Sequence, residues 1–188
     1  MKNFYATVGI LCFVLAFLVS CAGEQEQGNG RSASDGTNSI SSADTLDFIS
    51  YSPGAVVGET VYVPVYSHIY QHNRQKTFNL TATLSLRNTD LTSSMTLKKV
   101  YYYDSDGRLV NQYLDEPKQL APLSSTSFVV EEEDLRGGVG ANFLILWEAQ
   151  TTVTDPIIEA VMISTTQQQG ISFVSGGRVI DRLGRTSD

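Results

Sequence analysis

From Phe78 to Arg87 the chain alternates without a break, with Phe78, Leu80, Ala82, Leu84 and Leu86 set against Asn79, Thr81, Thr83, Ser85 and Arg87. Successive side chains of an extended strand point to opposite faces, so this pattern predicts a strand with one dry and one wet side. A helix would scatter the same apolar residues around its circumference. Strand-forming composition recurs in Glu59–Tyr70, Thr96–Tyr103, Arg108–Leu114, Thr126–Glu131, Asn142–Ala149, Ile157–Thr165 and Ile171–Ile180. Turn formers separate them: Asn88-Thr89-Asp90, Asp104-Ser105-Asp106-Gly107, Gly137-Gly138-Val139-Gly140 and Asp155-Pro156. Strands at such intervals, with no stretch of helical periodicity, predict an all-β fold: an antiparallel two-sheet sandwich, immunoglobulin-like.

Three details sharpen this expectation. Asp106-Gly107 sits between Tyr101-Tyr102-Tyr103 and Leu109-Val110, and this pair suits a tight hairpin turn, so those strands should pair. Pro64 lacks the amide hydrogen that a central ladder needs, which predicts that its strand, around Val61–Tyr66, lies at an edge or carries a bulge. Phe143, Ile145 and Trp147 alternate with Leu144 and Leu146, apolar on both faces, as in a central or partly covered strand. Trp147 is therefore read as core rather than as a ligand platform. Leu46–Val57 should dock on the domain or form a first short strand, and the tail after Leu183 should fray.

The N-terminus carries a different message. Lys2 precedes an uncharged, mostly apolar run from Phe4 to Leu18, and Leu18-Val19-Ser20-Cys21 closes it. A basic tip, an apolar stretch short of a comfortable bilayer span and small residues at its end make a secretory signal. The closing residues resemble the lipobox of bacterial lipoproteins, which implies that residues 1–20 are removed and that Cys21 is acylated as the first residue of the mature chain. Two or more acyl chains anchor a protein stably where one is marginal. Residues 21–45, rich in Gly, Ser, Asn and Gln, should form a flexible tether, because they hold too little apolar surface to offset the entropy of ordering. Residues 46–183 are the expected sandwich domain and 184–188 a disordered tail. Ala22 rather than aspartate after the cysteine resembles lipoproteins sent to the outer membrane, facing the periplasm.

Counting residues narrows the chemistry further. Cys12 lies within the expected signal, so the mature chain would keep no free thiol, disulfide or thiolate metal site. The formal charge of -7 becomes -8 once Lys2 leaves, and no basic stripe is clustered along the chain. Nucleic acid is thereby excluded as a partner, since backbone binding needs Lys and Arg to displace counterions. His68 and His72 are the only histidines. In a strand they stand roughly 13 Å apart, too far to share one zinc ion. Asp104-Ser105-Asp106-Gly107 opens like a calcium loop, but Asp115 stands where the bidentate glutamate would be required. Glu131-Glu132-Glu133-Asp134 reads as a solvated loop. Neither Gly-x-Ser-x-Gly nor a phosphate-loop ending occurs. No catalytic residue, cofactor or metal is expected.

The blocks Tyr62–Ile69, Phe78–Leu84, Tyr102-Tyr103-Asp104, Gly140–Phe143 and Gln168–Phe173 together resemble an uncharacterised family of bacterial lipoprotein domains catalogued as a domain of unknown function. The resemblance spans Glu59 to Ile180 and implies an envelope domain without assigning an activity. The resulting expectation is a membrane-anchored, non-enzymatic binding or structural module. Its partners would be membrane lipid, through Cys21, and an envelope protein, peptide or glycan. His68, Asn142 and Gln168 are the candidate ligand-binding residues. The alternative is a metal-dependent or hydrolytic envelope enzyme using His68.

Overall fold

The computed structural model describes residues 48–165 and 170–183. Its strands are β1 (Val57–Pro64), β2 (His68–Tyr70), β3 (Thr77–Asn79), β4 (Thr81–Arg87), β5 (Met95–Tyr103), β6 (Leu109–Gln112), β7 (Lys118–Leu120), β8 (Ser125–Val130), β9 (Asn142–Ala149), β10 (Ile157–Ser164), β11 (Ile171–Gly176) and β12 (Arg178–Arg182), with one 3₁₀ turn at Gly138–Gly140. They form an all-β sandwich. The first sheet runs β12-β1-β9-β5-β6, with β7 also on β5; the second runs β11-β10-β4-β8, and β2 and β3 make a separate hairpin. Every pairing is antiparallel.

The alternation that predicts the strands also builds the core. Val61, Val63, Phe143, Ile145, Trp147, Leu97, Val100 and Tyr102 of the first sheet pack with Ala82, Leu84, Leu86, Ala160 and Met162 of the second and with Leu80 just before it, and all are buried. Each large apolar side chain so enclosed contributes about 1.5–3 kcal/mol relative to exposure. Tyr102 and Tyr113 stack at tilted angles on Phe143, with centroids 5.1 and 5.7 Å away. Such aromatic pairs add about 0.5–1.5 kcal/mol beyond area burial.

β9 occupies the sheet centre, between β1 and β5, as its two apolar faces require. Its outer face is dry because residues 48–56 lie across it as a strap. Phe48 is buried edge-on against Tyr101, with centroids 4.9 Å apart, and the Lys99 ammonium sits over its ring. Ser52 donates its amide to Glu148 Oε2 at 2.7 Å, and Lys98 Nζ lies 2.6 Å from Ser52 Oγ and 3.4 Å from Glu148 Oε1. Burial works against the Glu148 charge, but Ser52 and Lys98 outweigh it and hold the carboxyl below its usual range. A bulge between Leu97 and Lys99 turns both lysines toward this outer face.

The Asp106-Gly107 hairpin forms, pairing Tyr101 with Gln112 and Tyr103 with Leu109. One expectation is met in one of its two forms and another needs correction. β1 is not an edge strand: it lies between β12 and β9. The strand does carry the expected bulge, between Thr60 and Val61, and Pro64 itself is tolerated because it is the last residue of β1 and β12 pairs only with Glu59 to Tyr62, so no ladder partner is lost. The Phe78–Arg87 segment is not one continuous strand either. It breaks at Leu80, whose amide donates to the Ser67 carbonyl at 2.9 Å, so Phe78 serves the small hairpin while Ala82 onward serves the second sheet.

One connection stays within the wall of the sandwich. β11 belongs to the second sheet and β12 to the first, and the chain passes between them at Gly177. A Cβ there would stand 2.7 Å from Val61 Cγ1 and 2.9 Å from the Ile158 carbonyl oxygen, so the crossing needs a residue without one.

Candidate functional site

The loops gather at two ends of the sandwich. At the lower end the β4–β5, β7–β8 and β9–β10 connections meet around two buried polar side chains. Asn88 Nδ2 donates to the carbonyls of Ser93, Leu120 and Ala121 at 2.8, 3.1 and 3.0 Å, while its Oδ1 accepts the Asp90 amide. Asp90 accepts the amides of Thr92, Ser93 and Thr154 at 2.9, 2.7 and 2.9 Å. Those backbone donors hold its carboxyl well below the usual carboxylate range. The carboxylate has no spare capacity for a ligand and acts as a loop organiser.

The upper end carries the sequence-predicted candidates. Ser67, buried between β1 and β2, donates its hydroxyl to the Gly138 carbonyl at 3.1 Å. Ser105, at the β5–β6 tip, donates to the Gly137 carbonyl at 3.0 Å and accepts the Gly140 amide at 2.9 Å. Together the two serines fasten the loop that follows β8. Beneath it the Tyr102 hydroxyl is buried without a hydrogen-bond partner and fills the space where Gly137 lacks a side chain. Burial drives the Tyr102 phenol well above its ordinary range, with Asp134 adding to the effect.

His68 is half-buried. Its Nδ1 is 3.3 Å from Ser67 Oγ, and its ring meets Tyr70 edge-on at 6.0 Å. A serine beside a histidine suggests an activated nucleophile, but Ser67 is only 1% exposed and directs its proton at a carbonyl. The pair therefore lacks the access and proton path that attack requires. Asn142 opens β9 between Pro64 and Tyr103, on the face it shares with Leu144. Gln168 and Cys21 lie outside the described residues.

The carboxylate run does not converge on one point. Asp134 is held by Arg136 through paired bonds of 2.8 and 2.7 Å, which keep its carboxyl below its usual range. Glu131 and Glu133 line a shallow open depression with Leu135 and Arg136. Asp104 spends Oδ1 on the amides of Asp106 and Arg108, closing the hairpin tip. Among the described residues no three His, Cys, Asp or Glu side chains stand close enough to hold a metal ion, and no helix is long and apolar enough to cross a membrane. The expected apolar leader lies outside those residues.

What remains on the upper surface is aromatic. Tyr66 and Tyr70 are exposed, and Tyr66 meets Phe173 of β11 edge-on at 6.0 Å. Sequence reading missed two features elsewhere: the Asn88–Asp90 knot and the buried Glu59. Glu59 was legible in principle, because Glu59, Val61, Val63 and Val65 alternate and place the carboxylate on the apolar side.

The fold and its ends define an all-β sandwich domain whose polar side chains are spent mainly on fastening loops. The chain belongs to a family described as proteins of unknown function, DUF3124, matching it over residues 58–180. No curated protein matches the sequence. Among solved structures, the crystal structure of Thermotoga maritima 1070 is similar with a TM-score of 0.38 and 12% identity, over 64% of this chain and 92% of that one.

Proposed function

We propose that this protein is a lipid-anchored module of the bacterial cell envelope, held through acylated Cys21 at the outer membrane and facing the periplasm, whose sandwich binds or spaces other envelope components without catalysis. The observation that carries the anchor is Leu18-Val19-Ser20-Cys21 behind an uncharged apolar run. The non-enzymatic reading is supported by the upper end, where Ser67, Ser105, Asp104 and Asp134 are each committed to local bonds. Tyr66 and Tyr70 offer flat faces to an envelope protein, peptide or glycan.

Metabolic labelling with a palmitate analogue tests the anchor. The wild-type protein should carry the label and sediment with membranes, and Cys21→Ser should lose both properties. An unlabelled wild type overturns the anchor. A hydrolytic or metal-dependent activity of the purified chain that disappears in His68→Ala would replace the non-enzymatic reading with the enzyme alternative.

A further inference from the structure

The two main sheets protect their edges unequally. An edge strand presents unpaired amides and carbonyls that template pairing with another chain, and charges, proline, bulges or a covering side chain normally block this. β12 carries Arg178, Asp181 and Arg182 and pairs across a bulge. β6 and β7, on the opposite border, are short and polar, with Asn111, Gln112 and Lys118. β8 is covered: the Tyr113 hydroxyl donates to the Val129 carbonyl at 3.1 Å and Lys118 Nζ to Thr126 Oγ1 at 2.9 Å. β11, Ile171-Ser172-Phe173-Val174-Ser175-Gly176, has no charge, proline or bulge, and among the described residues no side chain bonds to its free edge.

The ladder fixes which groups of β11 face outward. The Gly177 amide donates to the Ile158 carbonyl at 2.8 Å, and bonded pairs alternate along an antiparallel ladder. In the register Glu159↔Gly176 to Ser164↔Ile171, it is therefore Ser175, Phe173 and Ile171 that bond to β10. The amides and carbonyls of Ser172, Val174 and Gly176 point away from the sheet. Val174 is also 61% exposed and heads an uncharged outer row that continues across the strands through Val161, Thr83 and Val129.

We propose that β11 pairs antiparallel with β11 of a second copy of this chain, about a two-fold axis at Val174, joining the second sheets of two molecules into one. Centred there, Ser172 lies opposite Gly176 of the other copy and Val174 opposite itself, so every outward amide and carbonyl is bonded and none is left over. The faces stay in phase as well, because Phe173 falls opposite Ser175 and both belong to the inward side. Charge selects the same partner. A chain of formal charge -7 repels its own copies, yet β11 brings no like charges into opposition. The pairing consumes both free edges and so closes at two copies. Six residues make an edge only about 20 Å long at about 3.3 Å per residue. A contact of that length lies at the small end of specific interfaces, which makes the dimer reversible and dependent on concentration.

Sedimentation velocity of the full-length chain in mild detergent, from micromolar to millimolar concentration, tests this. Wild type should pass from monomer to dimer and stop there. Val174→Lys changes an exposed position, so it should keep the wild-type circular dichroism and thermal melting yet stay monomeric, as should Val174→Glu. An equimolar mixture of the two variants should recover the dimer, because position 174 faces itself across the axis. Val179→Lys, on β12, should dimerise like wild type. Native-state hydrogen exchange on wild type gives a second readout: protection of the Ser172, Val174 and Gly176 amides should rise several-fold with concentration, while that of Phe173 stays level. A wild type that remains monomeric at millimolar concentration overturns the proposal. So does a dimer that Val174→Lys leaves intact, or a mixture of the Lys and Glu variants that stays monomeric. Outward amides protected by an unrelated extended peptide and not by a second copy would overturn it too, and would give the edge to a peptide partner.

Discussion

The two ends of the sandwich solve the same problem with different chemistry. Where strands stop, backbone amides and carbonyls lose their ladder partners and something must replace them. The lower end uses an amide and a carboxylate, each serving three or more backbone groups from separate loops. The upper end uses serine hydroxyls, each with few partners, and leaves the Tyr102 hydroxyl unmatched. A multivalent side chain locks several loops at once, whereas single hydroxyls fasten one loop at a time. The lower end is thus held by side chains that each join several loops, and the upper end by side chains that each join one.

The contrast breaks most directly at Asn88. Asn88→Ala strands three carbonyls and should cost about 3 kcal/mol, read as a lower urea midpoint at unchanged slope. Asp90→Asn should come next, and its effect depends on pH. The folded carboxyl ionises well below its free value of about 3.9, so its stabilisation is present above that pH and is lost as pH falls toward the folded value. Wild type should lose more stability than Asp90→Asn between pH 5 and pH 2.5; parallel losses would show that the loops, not the charge, hold this end. At the upper end, Gly137→Ala pushes a methyl into the Tyr102 hydroxyl and should cost about 1–3 kcal/mol, with the near-ultraviolet signal of the tyrosines reporting the displacement. Ser67→Ala should cost only about 1 kcal/mol, and His68→Ala less than about 0.5 kcal/mol, both by thermal melting. If Ser67→Ala matched Asn88→Ala, the two ends would not differ as described.

Much of the fold could be read from short-range pattern. Asn142–Ala149 matches β9 residue for residue, and its apolar outer positions announced a cover that the strap provides. The Asp106-Gly107 turn was equally local. Pro64 pointed to an edge or a bulge but could not say which, because that depends on where the neighbouring strand ends, and β12 arrives more than a hundred residues later. The candidate site was less legible for the same reason. Asn88-Thr89-Asp90 identified itself as a turn, yet its partners at Leu120, Ala121 and Thr154 belong to distant loops. His68 drew notice as one of two histidines, a matter of count, whereas its surroundings are set by the carbonyl that Ser67 finds at Gly138.

The passage at Gly177 ties the two layers together at a late point along the chain. Among the described residues β1 is the first strand along the chain, yet its neighbours β9 and β12 come far later, and residues 171–182 supply a border strand of each layer in a single piece. Contacts so distant along the chain close slowly. A chain cut off before Gly177 would keep β11 but lack β12, which is both the border strand of the first sheet and one of the two partners of β1. Closing the border of the first sheet thus falls to residues 178–182, which the crossing at Gly177 brings over from the opposite layer.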